Sequence, residues 1–443
     1  MLMELMFLMF YLFYLILNCN LYFISSLMFM YSIFMFMKLS YLNWWLMNFS
    51  FSFNLYSFSL VILIFWIMSL IIMNLKFEIL LNKCLILLNL MSLIMILNFM
   101  SMNFLLFYYM FEISLLMIYY LILNWSYGKF KILSSYLLMF YTLFFSLPMF
   151  IIIVYLKMKM NSLSFLIMEL KLLNLSKFML IYLLLSFLIK IPMFLIHNWL
   201  LKAHVEAPFF GSMILAAIML KLGGYGLIRM MMMFFYLMLN NFIIISLNLI
   251  GLLFLSLMCL RQIDMKILVA MSSIIHMGLM ISSMFLYLKI SFLGSYLMML
   301  SHGLTSSGLF YLINIIYQQT KTRLMIINKG MIMFMPTLSL MWFLMCSSNM
   351  AAPFSLNLVS EIFLLTSLMI WMKFLILILM FYCLLSFIYS IYLFSYIQHG
   401  FIESLNHFFY NGKFIMFLTL MFHWLPLNLL ILNLNVIIYL NSL

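Results

Sequence analysis

Charge is scarce in this chain, and negative charge scarcest. Its 443 residues hold eight aspartates and glutamates, and charged residues of both signs make up 7% of the whole. A soluble globular domain carries about 25% charged residues, so that class is excluded. The cysteines are Cys19, Cys84, Cys259, Cys346 and Cys383, with no CxxC pair among them; iron–sulfur or zinc ligation and a disulfide framework are not indicated. Strict alternation of apolar and polar residues is missing as well, which disfavours a membrane β-barrel. There is no nucleophile-elbow motif and no convincing haem-type histidine pair. Gly223-Gly224-Tyr225-Gly226 follows no strand and lacks phosphate-loop spacing, so close helix packing is the better account of those glycines. No metal and no cofactor is expected.

What remains is apolar: 69% of the residues are hydrophobic. Runs of about 20 such residues recur along the whole length, the length a helix needs to cross a bilayer. The fold class is therefore all-α, a polytopic membrane protein of about 14 transmembrane helices. The spans expected are 2–17, 21–37, 53–73, 84–102, 104–123, 133–156, one starting near 178, 209–228, 240–260, 267–288, 292–316, 331–372, 374–396 and 414–440. No cleavable signal peptide is expected, because the first apolar run leads directly into a second. The net charge of +13 sits in short loops, not on a basic face, so the chain does not read as a nucleic-acid binder. Odd-numbered loops hold 11 lysines and arginines against 8 in even-numbered ones, a bias that places the odd loops on the negative side of the membrane.

Two of these spans are interrupted, at Ile191-Pro192 and at Ala351-Ala352-Pro353. Proline removes a backbone donor and forces the preceding residue out of the helical region, so a break is expected at each. The two broken spans lie five apart, and paired interruptions are the mark of an inverted repeat with its working groups at the breaks. The same regions stand out by composition. The chain is rich in Met, Phe, Leu, Ile, Tyr, Asn and Lys, as an A+T-rich genome dictates, yet four of its seven alanines, Ala203, Ala207, Ala216 and Ala217, fall between residues 190 and 229.

The ionisable residues inside apolar runs are few. Lys190 and Lys221 flank the first break, while Glu112 and Glu361 are the two carboxylates placed well inside apolar runs. A charge at bilayer depth costs at least about 2.5–3.5 kcal/mol, so each is a functional candidate. The structural accounts are a Lys190 that snorkels from its helix end and static ion pairs at the glutamates. Burial disfavours the charged lysine and a nearby glutamate restores it. A Glu112–Lys190 pair that opens and closes would thus bind and release a proton. His276 and His302, among small residues that leave room for water, complete a titratable set over six spans. Glu361, eight residues after Pro353 and so about two turns along a helix, would be its terminal station. His197, His204 and Glu206 read as interfacial and structural. Glu4, Glu78, Glu169, Asp264 and Glu403 fall at ends or in loops.

The run HNWLLKAHVEAPFFGSMILAAIMLKLGGYGLIR (197–229) resembles the signature of the chain 4 family of mitochondrial NADH–ubiquinone oxidoreductase, respiratory complex I. QIDMKILVAMSSIIHMGL (262–279), SHGLTSSGLFYLIN (301–314) and AAPFSLNLVSEIFLL (351–365) extend the likeness over most of residues 100–370. The resemblance implies an antiporter-like, proton-pumping membrane subunit with two inverted five-helix repeats and no redox centre of its own. It implies repeats at 84–230 and 231–396, with N-terminal helices over 1–83 and a C-terminal loop and last helix over 397–443. Its relay residues map onto Glu112, Lys190, Lys221 and Glu361, with His276 and His302 as mid-membrane histidines. Implied partners are the other membrane subunits, chains 2 and 5 as neighbours, and accessory subunits; the implied location is the mitochondrial inner membrane. Leu201 departs from the family, which usually has proline there, and puts the local turn in question.

Two other functions fit the composition. A free-standing sodium/proton antiporter shares the ancestral fold, but a sodium site would want more carboxylates at the breaks. A structural membrane scaffold would leave four charges at bilayer depth without a reason.

Overall fold

The structure is a computed structural model, and it describes residues 21–38, 45–48, 51–75, 81–126, 128–170, 175–234, 242–400 and 412–434. The expected span 2–17, Glu4, Glu78 and Glu403 lie outside these residues. Each of the thirteen expected spans that fall on described residues is helical. In chain order the helices are α1 (Leu21–Lys38), α2 (Leu55–Met73), α3 (Leu81–Met100), α4 (Phe104–Trp125), α5 (Lys131–Met160) and the short α6 (Phe165–Leu170). Then come α7 (Lys177–Lys190), α8 (Asn198–Glu206), α9 (Phe209–Met233), α10 (Phe242–Cys259), α11 (Met265–Met284) and α12 (Lys289–Thr320). The chain continues through α13 (Met331–Phe334), α14 (Pro336–Asn349), α15 (Leu356–Trp371), α16 (Ile376–Gln398) and α17 (Phe414–Leu432). One small antiparallel hairpin, β1 (Trp45–Asn48) with β2 (Phe51–Phe53), was not expected.

Ten of these helices are long and apolar enough to cross a membrane. The exceptions matter more. They include the four halves of the two broken spans, α7, α8, α14 and α15, and the 32-residue α12, which is rich in Ser, Thr and Gly. The elements that fall short of an ideal membrane helix are those that hold the breaks and the histidine His302. On the outside, α5 presents Phe140, Phe144, Leu147 and Ile151 to its surroundings along one exposed stripe, as a helix facing lipid or an apolar partner does.

Both breaks form where the prolines place them. Ile191, the residue before Pro192, turns extended (φ −90°, ψ 95°) and ends α7; Leu195 then adopts a left-handed conformation (φ 81°). At the second break Ala351 and Phe354 are left-handed (φ 57° and 65°). Such conformations are rare for residues with a Cβ and gather where structure serves function. A break frees backbone carbonyls that lipid cannot satisfy. At each break a side chain of the following half-helix serves one carbonyl: Trp199 Nε1 donates to that of Ile189 (3.2 Å) and Asn357 Nδ2 to that of Ser348 (2.8 Å). Leu201 lies inside α8, so no turn forms where the family's proline is replaced.

Helix α12 is the hub, packed against α2, α9, α11, α14, α15 and α17. Without a hydrophobic drive between helices in lipid, close approach through small residues carries the packing. Gly223 of α9 lies where a Cβ would meet Ile191 and Lys190, and at Gly226 a Cβ would come within 2.3 Å of the Phe187 ring. These glycines hold α9 against the first break, as the sequence suggested. Gly226→Val should overpack this contact by about 1–3 kcal/mol. The expected result is a fall in the amount of assembled, membrane-integrated protein on native gels, whereas an exposed control such as Met232→Val should leave it unchanged.

Candidate functional site

The first break delivers Lys190 to the middle of α4. Its ammonium donates to the Phe111 carbonyl (2.9 Å) and lies over the Phe111 ring. Glu112 is the next residue, and its Oε1 is buried without a hydrogen-bond partner. The two charges interact, yet they form no contact ion pair. The expected Glu112–Lys190 pair is thus present as neighbours, with the lysine turned to backbone and aromatic ring. Lys190 is 3% exposed and does not snorkel.

Lys221 follows a π-helical turn, Leu215–Met219. Such turns loosen the regular hydrogen-bond ladder and often mark functional positions. Here the ammonium donates to the Ala216 carbonyl inside that turn (2.7 Å) and sits 2.9 Å from His302 Nδ1. Two alanines in the turn and Gly303 opposite let α12 come close: a Cβ on Gly303 would lie 3.4 Å from the Ala217 carbonyl. That is a physical reason for alanine to persist here against the composition of the chain. While Lys221 is charged it carries only donors, so Nδ1 of His302 accepts and the neutral ring holds its proton on Nε2.

The His302 and His276 rings follow, with centroids 5.9 Å apart, a gap that one water or a ring rotation closes. His276 Nδ1 lies 3.2 Å from Glu361 Oε1, in contact but not aligned as a hydrogen bond. Its Nε2 is 3.4 Å from the Tyr389 hydroxyl. Helix α15 begins at Leu356, so Glu361 is about one and a half turns from the break and not two. The structure therefore brings Lys221, His302, His276 and Glu361 into one buried line across α9, α12, α11 and α15. Glu112 and Lys190 form a second group, joined to the first through α9: Gly223 packs on Lys190 two residues after Lys221.

Sequence reasoning missed two tyrosines. Tyr382 and Tyr389, seven residues apart on one face of α16, are fully buried, and both lie within electrostatic reach of Glu361. Among 27 tyrosines neither is conspicuous alone; their spacing, with Ser386 between them on the same face, is the available signal. Also missed was the buried Arg229, which donates to the Tyr225 hydroxyl (3.0 and 2.8 Å) and pairs with Glu169 (3.4 Å). His204, read as interfacial and structural, is 0% exposed and stacked on Phe310 with centroids 4.8 Å apart.

The family model for the transmembrane domain of NADH:quinone oxidoreductase and Mrp antiporters matches residues 101–388. NADH-ubiquinone oxidoreductase chain 4 of Apis mellifera ligustica is 51% identical over 402 residues, 90% of this chain and 88% of that one. The chain 4 of Aedes aegypti is 48% identical over 329 residues, 74% of each. A chain in the structure of respiratory complex I from Thermus thermophilus with bound NADH shares the fold, with a TM-score of 0.84 at 17% identity, covering 96% of this chain and 93% of that one.

Proposed function

The chain belongs to the chain 4 family of NADH-ubiquinone oxidoreductase, within the NADH:quinone oxidoreductase/Mrp antiporter membrane proteins, and from that membership we propose the path its protons take. It is a proton-translocating membrane-arm subunit of respiratory complex I, and its partners are other subunits of that complex. Electron transfer belongs to other subunits. We place it in the mitochondrial inner membrane, with chains 2 and 5 of the complex as neighbours.

Lys221 is the central proton carrier in our reading. In the charged state its ammonium is held by the Ala216 carbonyl and His302 Nδ1. Passing a proton to Nδ1 makes His302 a cation that releases the one on Nε2. His276 takes it up and hands it to Glu361, whose carboxylate it touches. Tyr389 and Tyr382 steady that carboxylate in its two protonation states. The Glu112–Lys190 group sets the timing: when the two charges close on each other they cancel and Lys221 keeps its proton; when they part, the uncompensated charge on Lys190 repels that on Lys221 and pushes its proton toward His302. The arrangement seen, with the lysine on the Phe111 carbonyl, corresponds to the parted state. The observation that carries the reading is the buried line from Lys221 to Glu361, in which the one gap lies between the His302 and His276 rings.

Glu112→Gln tests the timing role. It keeps shape and removes the charge that would close on Lys190. Coupled pumping by the assembled complex is expected to fall several-fold while assembly stays normal, measured as NADH-driven acidification in proteoliposomes. Wild-type pumping by this variant would remove Glu112 from the mechanism.

A further inference from the structure

The buried line from Lys221 to Glu361 has no evident source of protons within it. A polar cavity of about 350 Å³ opens where the ends of α2, α4, α8 and α12 meet the starts of α9 and α11. Glu206, Lys266, Asn314, Gln318 and Arg323 are among its lining residues. All these ends belong to odd-numbered loops, the side that the charge bias makes negative. Two of its cations are partly occupied: Lys266 and Arg323 donate to the Val205 carbonyl and Lys266 also to that of Ala207 (2.7 Å). They satisfy the carbonyl end of α8 and neutralise the negative pole of that half-helix.

His204 is buried next to this cavity, behind Phe310. Its ring stacks on Phe310 with an interplanar angle of 8°, and Phe310 is itself a wall of the cavity. Both ring nitrogens are buried without a hydrogen-bond partner. That state is costly for a polar group unless a proton or a water serves it. Charge interactions reach His204 from Lys266 on the cavity side and from Lys221 on the other, and it interacts with His302 as well. A histidine with two open nitrogens between a polar mouth and a buried carrier is placed to take a proton on one nitrogen and release it from the other.

We propose that His204 is the intake residue of the relay, passing protons from the cavity lined by Glu206 and Lys266 to the Lys221–His302 pair. The inference rests on the relay reading above. No atoms are exchanged other than the proton: one enters at one nitrogen and the ring returns to neutral as the other nitrogen releases its own. The charged ring is transient in this scheme, because the Lys221–His302 pair takes the proton onward.

The test uses assembled complex in proteoliposomes, with NADH-driven proton pumping and electron transfer measured together. His204→Ala should lower pumping at least fivefold, and imidazole added on the odd-loop side should restore a part of it by occupying the space left beside Phe310. His204→Gln fills that space with a neutral amide, so it should show the same loss without rescue; it also serves as the readout if the alanine variant assembles poorly. Normal pumping by either variant, or a loss in the alanine variant that imidazole leaves untouched, overturns the intake role. Lys221→Ala separates the two readings. If it stops pumping while the His204 variants pump normally, the relay stands and the intake lies elsewhere. If Lys221→Ala pumps normally, the relay itself has failed, whatever His204 does.

Discussion

Lys221→Ala is expected to abolish proton translocation while the complex still assembles. The lysine is 0% exposed and meets a backbone carbonyl and a histidine nitrogen, with no carboxylate in contact. Removing it leaves no lasting carrier of positive charge between the cavity side and His302. If the transfer then meets a barrier higher by the about 2.5–3.5 kcal/mol that a charge costs at bilayer depth, it slows by roughly a hundredfold. A static role makes a different forecast. A lysine that merely satisfies the Ala216 carbonyl would be replaced well by arginine, which has more donors. A carrier would not, because arginine does not give up its proton. Lys221→Arg is therefore the decisive partner experiment: NADH-driven acidification should stay low in both variants, and recovery with arginine would make Lys221 structural.

Much of this site is legible in the chain itself, for one physical reason. Lipid penalises charge so heavily that Glu112, Lys190, Lys221 and Glu361 stand out without any knowledge of shape. Proline acts as strongly on the backbone, so Pro192 and Pro353 announce their breaks. Leu195, Ala351 and Phe354, which carry the left-handed conformations inside those breaks, look like ordinary apolar residues in the sequence. The same limit hides Tyr382 and Tyr389, because a tyrosine in a membrane helix costs little and matters only through what it faces. The π turn before Lys221 follows from how α12 presses on α9, which is tertiary information. The pairing of Glu112 with Lys190 was read from opposite charge alone. In the structure the Phe111 carbonyl, one residue nearer, takes the ammonium instead. His204 reads in the sequence only as an interfacial, structural residue; that it falls on the buried face of α8 beside Trp199, Leu200 and Ala203 is set by tertiary packing.

Glu361→Gln is expected to have the other large effect, and it acts at the opposite end of the line. The carboxylate touches His276 at 3.2 Å and lies among Tyr382, Tyr389 and α12. To receive a proton and pass it on, it must alternate between charged and neutral. Glutamine keeps the length, the shape and one acceptor, but cannot titrate. Protons delivered to His276 would then have no onward acceptor, and pumping should fall by at least as much as in Lys221→Ala. Glu361→Asp shortens the side chain by one methylene and widens the contact with His276, so part of the activity should return. A glutamate held only as a partner for a permanently charged His276 would behave in the reverse order: the aspartate variant, with its geometry spoiled, would gain nothing over glutamine, and both would lose assembly along with pumping. Measuring acidification against the amount of assembled complex for both variants separates the two. If Glu361→Gln pumps like the wild type at full assembly, the outlet of the relay is not at Glu361, and the line ends at the His276–Tyr389 contact.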